Sequence, residues 1–159
     1  LPEDMIAPVA PIASELAIAG AERVIQNSGV TFRIGGGEAF YSPTHDVVQV
    51  PPQIAFLEPI NWFRTALHEL GHATGHKSRL DRDQTGEFGS ASYAKEELVA
   101  EMASAFACAA LGIVPTVRHA DYIGAWLEVL RADEKAIFRA ASAASKAADF
   151  LLACGEERP

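Results

Sequence analysis

The sequence predicts an α+β fold, mostly helical, with a small antiparallel sheet ahead of its principal helix. Three observations carry this. Long segments on both flanks repeat apolar residues at helical spacing. Between residues 30 and 50, short β-prone runs are separated by Gly- and Pro-bearing turns. An uninterrupted helical pattern over residues 61–74 holds His68-Glu69-Leu70-Gly71-His72 and an apolar face of Phe63, Ala66, Leu67 and Leu70. A chain of 159 residues is long enough to bury a core and is expected to be a single domain over residues 1–159.

Residues 1–11 are proline-rich and read as an extended lead-in. A first helix is expected over residues 13–26, stopped by Asn27-Ser28-Gly29. Strand candidates follow at residues 30–34, 39–41 and 46–50, with Gly35-Gly36-Gly37 and Ser42-Pro43-Thr44 as turns. The triple glycine has no following Lys and opens no helix, so it reads as a hairpin turn rather than a phosphate loop. Asn61 is the expected cap of the principal helix, and Gly75 is placed to follow its last turn. Residues 77–91 are polar and glycine-bearing, hence a loop. A second long helix is expected over residues 93–111, capped by Ser92 and ended by residues 112–115. Two more helices follow, one with the stripe Ile123, Trp126, Leu127 and Leu130. The other has Ile137, Ala141, Ala144, Ala148 and Leu151 opposite Lys135, Arg139, Ser142 and Lys146. There is no internal repeat.

Residues four apart on a helix share a face, one roughly 6 Å above the other. His68 and His72 can therefore aim both imidazoles at one ion, with Glu69 beside an open coordination position. That is the HExxH arrangement: two zinc ligands and a carboxylate able to take a proton from water. Catalytic zinc takes a third protein ligand. One family of zinc proteases supplies a histidine where this chain has Ser78, and His76 comes two residues too early. On a continued helix, His68, His72 and His76 would span about 12 Å, too far for one ion, so His76 reads as a loop or supporting residue. His45 and His119 are further candidates. The second long helix offers a better one. Glu97 and Glu101 share a face, where at about 6 Å they repel by about 3 kcal/mol at an effective dielectric near 20, and a cation beside them removes that cost. Glu97, nearer the helix start, is the preferred ligand, and Glu101 can accept a hydrogen bond from the outer nitrogen of a ligand histidine. The reverse order stays open. Glu96 is expected to face solvent.

The net charge of −8, with no strong cluster of Lys and Arg, argues against a phosphate backbone as the main partner. Two cysteines, Cys108 and Cys154, make no CxxC and are expected as buried, reduced thiols in a cytoplasmic compartment. Prolines interrupt the apolar run over residues 5–13, so neither a signal peptide nor a membrane span is expected. Leu1 in place of Met is what a fragment of a longer protein would show.

The run HELGHATGHKSRLDRDQTGEFGSASYAKEELVAEMASAFACAALGI resembles the zincin-like metallopeptidase domain of ArdC-type antirestriction proteins and of TraC-type plasmid proteins. AFYSPTHDVVQVPP upstream and AIFRAASAASKAADFLL downstream resemble the strand segment and closing helices of that family, so the likeness covers residues 21–153. It implies a zincin-like fold, a zinc-dependent peptidase-like activity, His68 and His72 as ligands, Glu69 as base, and a further ligand within EELVAE. Ala73 and Met102-Ala103 depart from the family's usual wording without touching a proposed ligand. The family's separate N-terminal single-stranded-DNA-binding domain has no counterpart here, so DNA protection does not carry over.

The leading reading is metal-assisted hydrolysis of a peptide or protein substrate, with Glu69 as base. Tyr93 ranks first among the oxyanion donors, ahead of Arg79 and His119, and residues 46–50 would be an edge strand able to receive an extended peptide. The alternative is a catalytically silent, metal-stabilised interaction module of a larger DNA-transfer protein. The sequence names neither the substrate nor the oligomeric state. Trp62 and Trp126 fall on apolar helix faces, and Lys77, Arg79 and Arg82 are offset by Asp81, Asp83 and Glu87. The chain therefore lacks the positive track and stacking aromatics of a single-strand binder. A labelled oligonucleotide titrated at about 0.15 M salt, where the Debye length is near 8 Å, should bind poorly. Submicromolar, salt-sensitive binding would contradict this reading of the charge pattern.

Overall fold

The computed structural model describes residues 11–114 and 123–156. Helix α1 spans Pro11–Asn27, and strands β1 (Thr31–Ile34), β2 (Phe40–Ser42) and β3 (Val47–Val50) follow. A short 3-10 turn, Gln53–Ala55, leads into α2 (Pro59–Ala73), and α3 (Ala91–Leu111), α4 (Ile123–Ala132) and α5 (Ala136–Gly155) complete the order. The fold is α+β and mostly helical, as expected. The lead-in over residues 1–10, His119 and Pro115 lie outside the described residues.

The sheet is mixed rather than antiparallel. Its order is β1-β3-β2, with β1 parallel to β3 and β2 antiparallel to it. Alternation of apolar residues fixes which face a strand buries, not which neighbour it takes. Val48 and Val50 are fully buried, so β3 occupies the centre. Two expectations fall with this. The triple glycine carries the chain from one edge strand to the other instead of closing a hairpin, and β3 has no free edge for an incoming peptide. Among the described residues, the outer edge of β2 carries no strand.

Capping chemistry sets the helix starts two residues earlier than expected. Glu58 precedes α2 and Pro59 takes its first turn, where a missing N–H costs nothing. Asn61 serves inside the helix, accepting from Arg64 at 2.8 Å. Ser90, not Ser92, caps α3 by accepting from the Tyr93 amide at 3.1 Å. Gly112 ends α3 in the left-handed conformation (φ 82°), with Ile113 N–H donating to Cys108 at 2.8 Å in a Schellman closure.

The main core joins Ala17, Ala21 and Val24 of α1, Val48 and Val50 of β3 and the α2 face of Trp62, Phe63, Ala66, Leu67 and Leu70. Leu67 and Leu70 are fully buried, each contributing roughly 1.5–3 kcal/mol. A second cluster packs Leu98, Val99 and Ala103 of α3 against Ala140, Ala144 and Ala147 of α5. On α5, Ala144, Ala148 and Leu151 are buried as expected, but at its start Ala136 and Ala140 turn inward and Ile137 is exposed. Among the described side chains of α4, Val129 is buried, Trp126 and Leu130 pack against the same cluster, and Leu127 is exposed. Cys108 lies in the core and Cys154 is half-buried. Among the described residues no helix is long and apolar enough to cross a membrane.

Helices α2 and α3 meet at Gly71. A Cβ there would stand 3.2 Å from the Ala100 carbonyl oxygen and 3.6 Å from the Ala103 Cβ. Even a methyl there would press on the α3 backbone, so the two helices approach closely beside His68, His72, Glu97 and Glu101.

Candidate metal centre

The approach of α2 and α3 assembles the site. His68 and His72 stand with ring centroids 4.9 Å apart and planes at 85°. Both turn their Nε2 atoms to Glu97, His72 at 3.1 Å and His68 at 3.4 Å. One ligand atom from each of these three buried residues lies within 4.8 Å of the others. The outer nitrogens have separate partners: His68 Nδ1 lies 3.1 Å from Glu101, and His72 Nδ1 lies 3.3 Å from Glu96.

Two imidazoles whose outer nitrogens face carboxylates would keep a proton there and offer the Nε2 lone pair inward once a cation displaces the inner proton. Together with the Glu97 oxygens they form a donor set that fits a divalent cation. The electrostatics agree. Burial disfavours the charged form of His72, but hydrogen bonds to Glu96 and Glu97 outweigh it and raise the pKa to about 10. Burial likewise opposes charge on His68, and Glu101 and Glu97 overcome it to raise its pKa. Burial would raise the pKa of Glu97, yet contact with both histidines holds its carboxyl well below the usual range. The Glu97 carboxylate thus stays ionised where the two imidazoles converge, and an entering cation takes the place of the protons they hold.

The site opens on a cleft of about 320 Å³ lined by Glu69, Tyr93, Gln84 and Ser92, with Ala39, Phe40 and Tyr41 from the β2 side. Glu69 is buried on the cleft wall beside the two histidines. Tyr93 reaches the cleft from the first turn of α3, its ring packed 5.2 Å from Phe88. Tyr41 also faces the cleft, but its hydroxyl donates to Asp46 at 2.9 Å; burial first, then Asp46, pushes its pKa up to about 12. Arg79 is committed elsewhere, donating to the Ala73 carbonyl at 2.7 Å and pairing with Asp46. His76 folds into the turn after α2, with Nδ1 2.7 Å from the Ser78 hydroxyl, and His45 is exposed.

Glu96 is the correction. It does not face solvent: its side chain is 11% exposed and is bound by His72, Arg82 and Gln84. Burial would raise its pKa, but His72 and Arg82 hold it low. Arg82, which the sequence balances against nearby loop acids, takes a helix carboxylate as its partner instead. Gln84 was not singled out at all. Three carboxylates within two turns of α3 call for a compensating cation, and that is the one signal in the sequence that points to Arg82.

A family model described as zincin-like metallopeptidase matches residues 19–143. The chain is 47% identical over 148 residues to the uncharacterized protein y4eC of Sinorhizobium fredii, covering 92% of this chain and 48% of that protein. It is 48% identical over 139 residues to a DNA primase TraC of Escherichia coli, covering 86% of this chain but 13% of that protein. The chain therefore spans half or less of the length of these relatives. Among solved structures, the Mn(II)-bound antirestriction ArdC protein of plasmid R388 superposes with a TM-score of 0.80 at 37% identity, over 87% of this chain and 53% of that one. Its metal-free form gives a TM-score of 0.76 at 34% identity, over 99% and 58%.

Because both Nε2 atoms face Glu97 and only an outer nitrogen faces Glu101, Glu97→Gln is expected to weaken metal binding more than Glu101→Gln. Loss of an outer partner costs roughly 10–100-fold in affinity, and loss of a direct ligand should exceed that. Chelator competition ranks the two; the reverse order would make Glu101 the ligand.

Proposed function

This chain belongs to the zincin-like metallopeptidase family, and from that premise we propose that it is a zinc-dependent domain hydrolysing peptide bonds. In this reading it acts on a protein substrate in the cytoplasm, as part of a plasmid or mobile-element antirestriction protein. One observation carries it: buried Glu69 faces the same cleft as the converging atoms of His68, His72 and Glu97. That the similar ArdC protein has a Mn(II)-bound structure supports a divalent ion in this fold. We assign zinc because two imidazoles and a carboxylate, with one position left open, are its habitual catalytic set.

When bound, zinc supplies Lewis acidity, bringing the pKa of a coordinated water to around 7 and polarising a carbonyl. Glu69 then takes a proton from the attacking water and returns it to the leaving amine. Tyr93 faces the cleft and is the donor we assign to the developing oxyanion; Tyr41, turned to Asp46, is not. Glu101 and Glu96 keep the histidine protons on the outer nitrogens. The outer β2 edge beside the cleft offers backbone groups to an extended substrate.

Zinc-loaded protein incubated with a diverse peptide library should cleave a subset of sequences. Glu69→Gln should keep its metal and lose roughly 10²–10⁴-fold in rate, the usual contribution of a general base. Equal cleavage by that variant would refute Glu69 as base. A zinc-binding wild type that cleaves nothing would favour the silent interaction module.

A further inference from the structure

Beyond the ligands, one loop grips His72 at two places. Arg82 leaves the turn after α2 and donates to Glu96 through Nε at 3.0 Å and through Nη2 at 2.8 Å. The same guanidinium donates to the Gly71 carbonyl at 2.7 Å and to the Thr74 hydroxyl at 2.8 Å. The Gln84 amide donates to Glu96 at 2.9 Å and to the His72 carbonyl at 2.7 Å. Glu96 in turn faces His72 Nδ1 at 3.3 Å. The fit is close: a Cβ at Gly75 would stand 2.6 Å from the Gln84 amide nitrogen and 2.9 Å from Arg82 Nη2.

We propose that Arg82, Gln84 and Glu96 form a positioning clamp that fixes the His72 ring with its proton on Nδ1 and its Nε2 toward the metal. Arg82 also neutralises Glu96, which would otherwise stand as a spare carboxylate next to Glu97, so that Glu96 orients a ligand instead of competing for the ion. A two-pronged guanidinium–carboxylate pair suits this role because its planar fork fixes the carboxylate plane as well as its position. Glu96 accordingly cannot rotate without breaking both prongs. The clamp rests on the metal-site reading above and adds to it that His72 is held by the loop as well as by its helix.

The test is zinc affinity by chelator competition on the full chain, with melting temperatures of the metal-free proteins measured alongside. Glu96→Ala should lose roughly 10–100-fold in affinity, the usual cost of removing a ligand's outer partner. Glu96→Gln should lose less, because its amide oxygen still accepts from Nδ1–H. Arg82→Gln should lose about 10-fold in the wild-type background and little beside Glu96→Ala, since coupled residues are non-additive. If Arg82→Gln costs the same affinity in both backgrounds, or loses affinity only in proportion to its melting temperature, the clamp is wrong and Arg82 merely ties the loop down. If the wild type binds zinc and Glu96→Ala binds it equally well, the clamp is also wrong. A wild type that binds no zinc overturns the metal reading itself.

Discussion

The site depends on how closely α2 and α3 approach. Gly71 sits between His68 and His72, and Ala100 sits between Glu97 and Glu101, so the close approach of the two backbones and the four chemical residues share the same helical turns. Glycine and alanine there let a carboxylate of one helix face two imidazoles of the other at 3.1–3.4 Å. A side chain added at Gly71 would press on the Ala100 carbonyl at 3.2 Å and work against that approach. Fully buried Leu67 and Leu70 on the adjoining face fix the rotation of α2, so the histidines have one direction in which to point.

Three carboxylates on one short segment would repel one another, and the structure resolves this by giving each a different partner. Glu97 faces the two inner nitrogens, Glu101 the outer nitrogen of His68, and Glu96 the outer nitrogen of His72 together with Arg82 and Gln84. Each histidine is thus oriented from behind while the central carboxylate is left for a cation. The loop that supplies Arg82 and Gln84 also lines the cleft through Gln84 and Gly86, which ties the wall of the cleft to the geometry of His72.

Helical periodicity made the centre of this arrangement legible in the sequence. Spacing alone puts His68 and His72 on one face, and it puts Glu97 and Glu101 on one face of a helix that follows within a loop's reach. Periodicity says nothing about a loop, so the return of Arg82 and Gln84 to the site was not legible. With their partners unseen, Glu96 looked like a solvent-facing neighbour of the ligand. The sheet shows the same limit: alternation in residues 46–50 marks a strand with one buried face, but its central place and parallel neighbour come from burial of Val48 and Val50 within the assembled core. Cap residues were displaced for a local reason, since Pro59 and Ser90 are better helix openers at their own positions than Asn61 and Ser92 are at theirs.

The central claim is that one ion sits where the two Nε2 atoms and Glu97 converge. A crystal of the zinc-loaded chain, with anomalous differences collected at the zinc edge, tests it most directly. The account predicts one strong peak at about 2.0–2.2 Å from His68 Nε2, His72 Nε2 and a Glu97 oxygen, with Glu96 and Glu101 still on the outer nitrogens. A peak at His76 or His45, coordination through an Nδ1 atom, or Glu101 in place of Glu97 would contradict it.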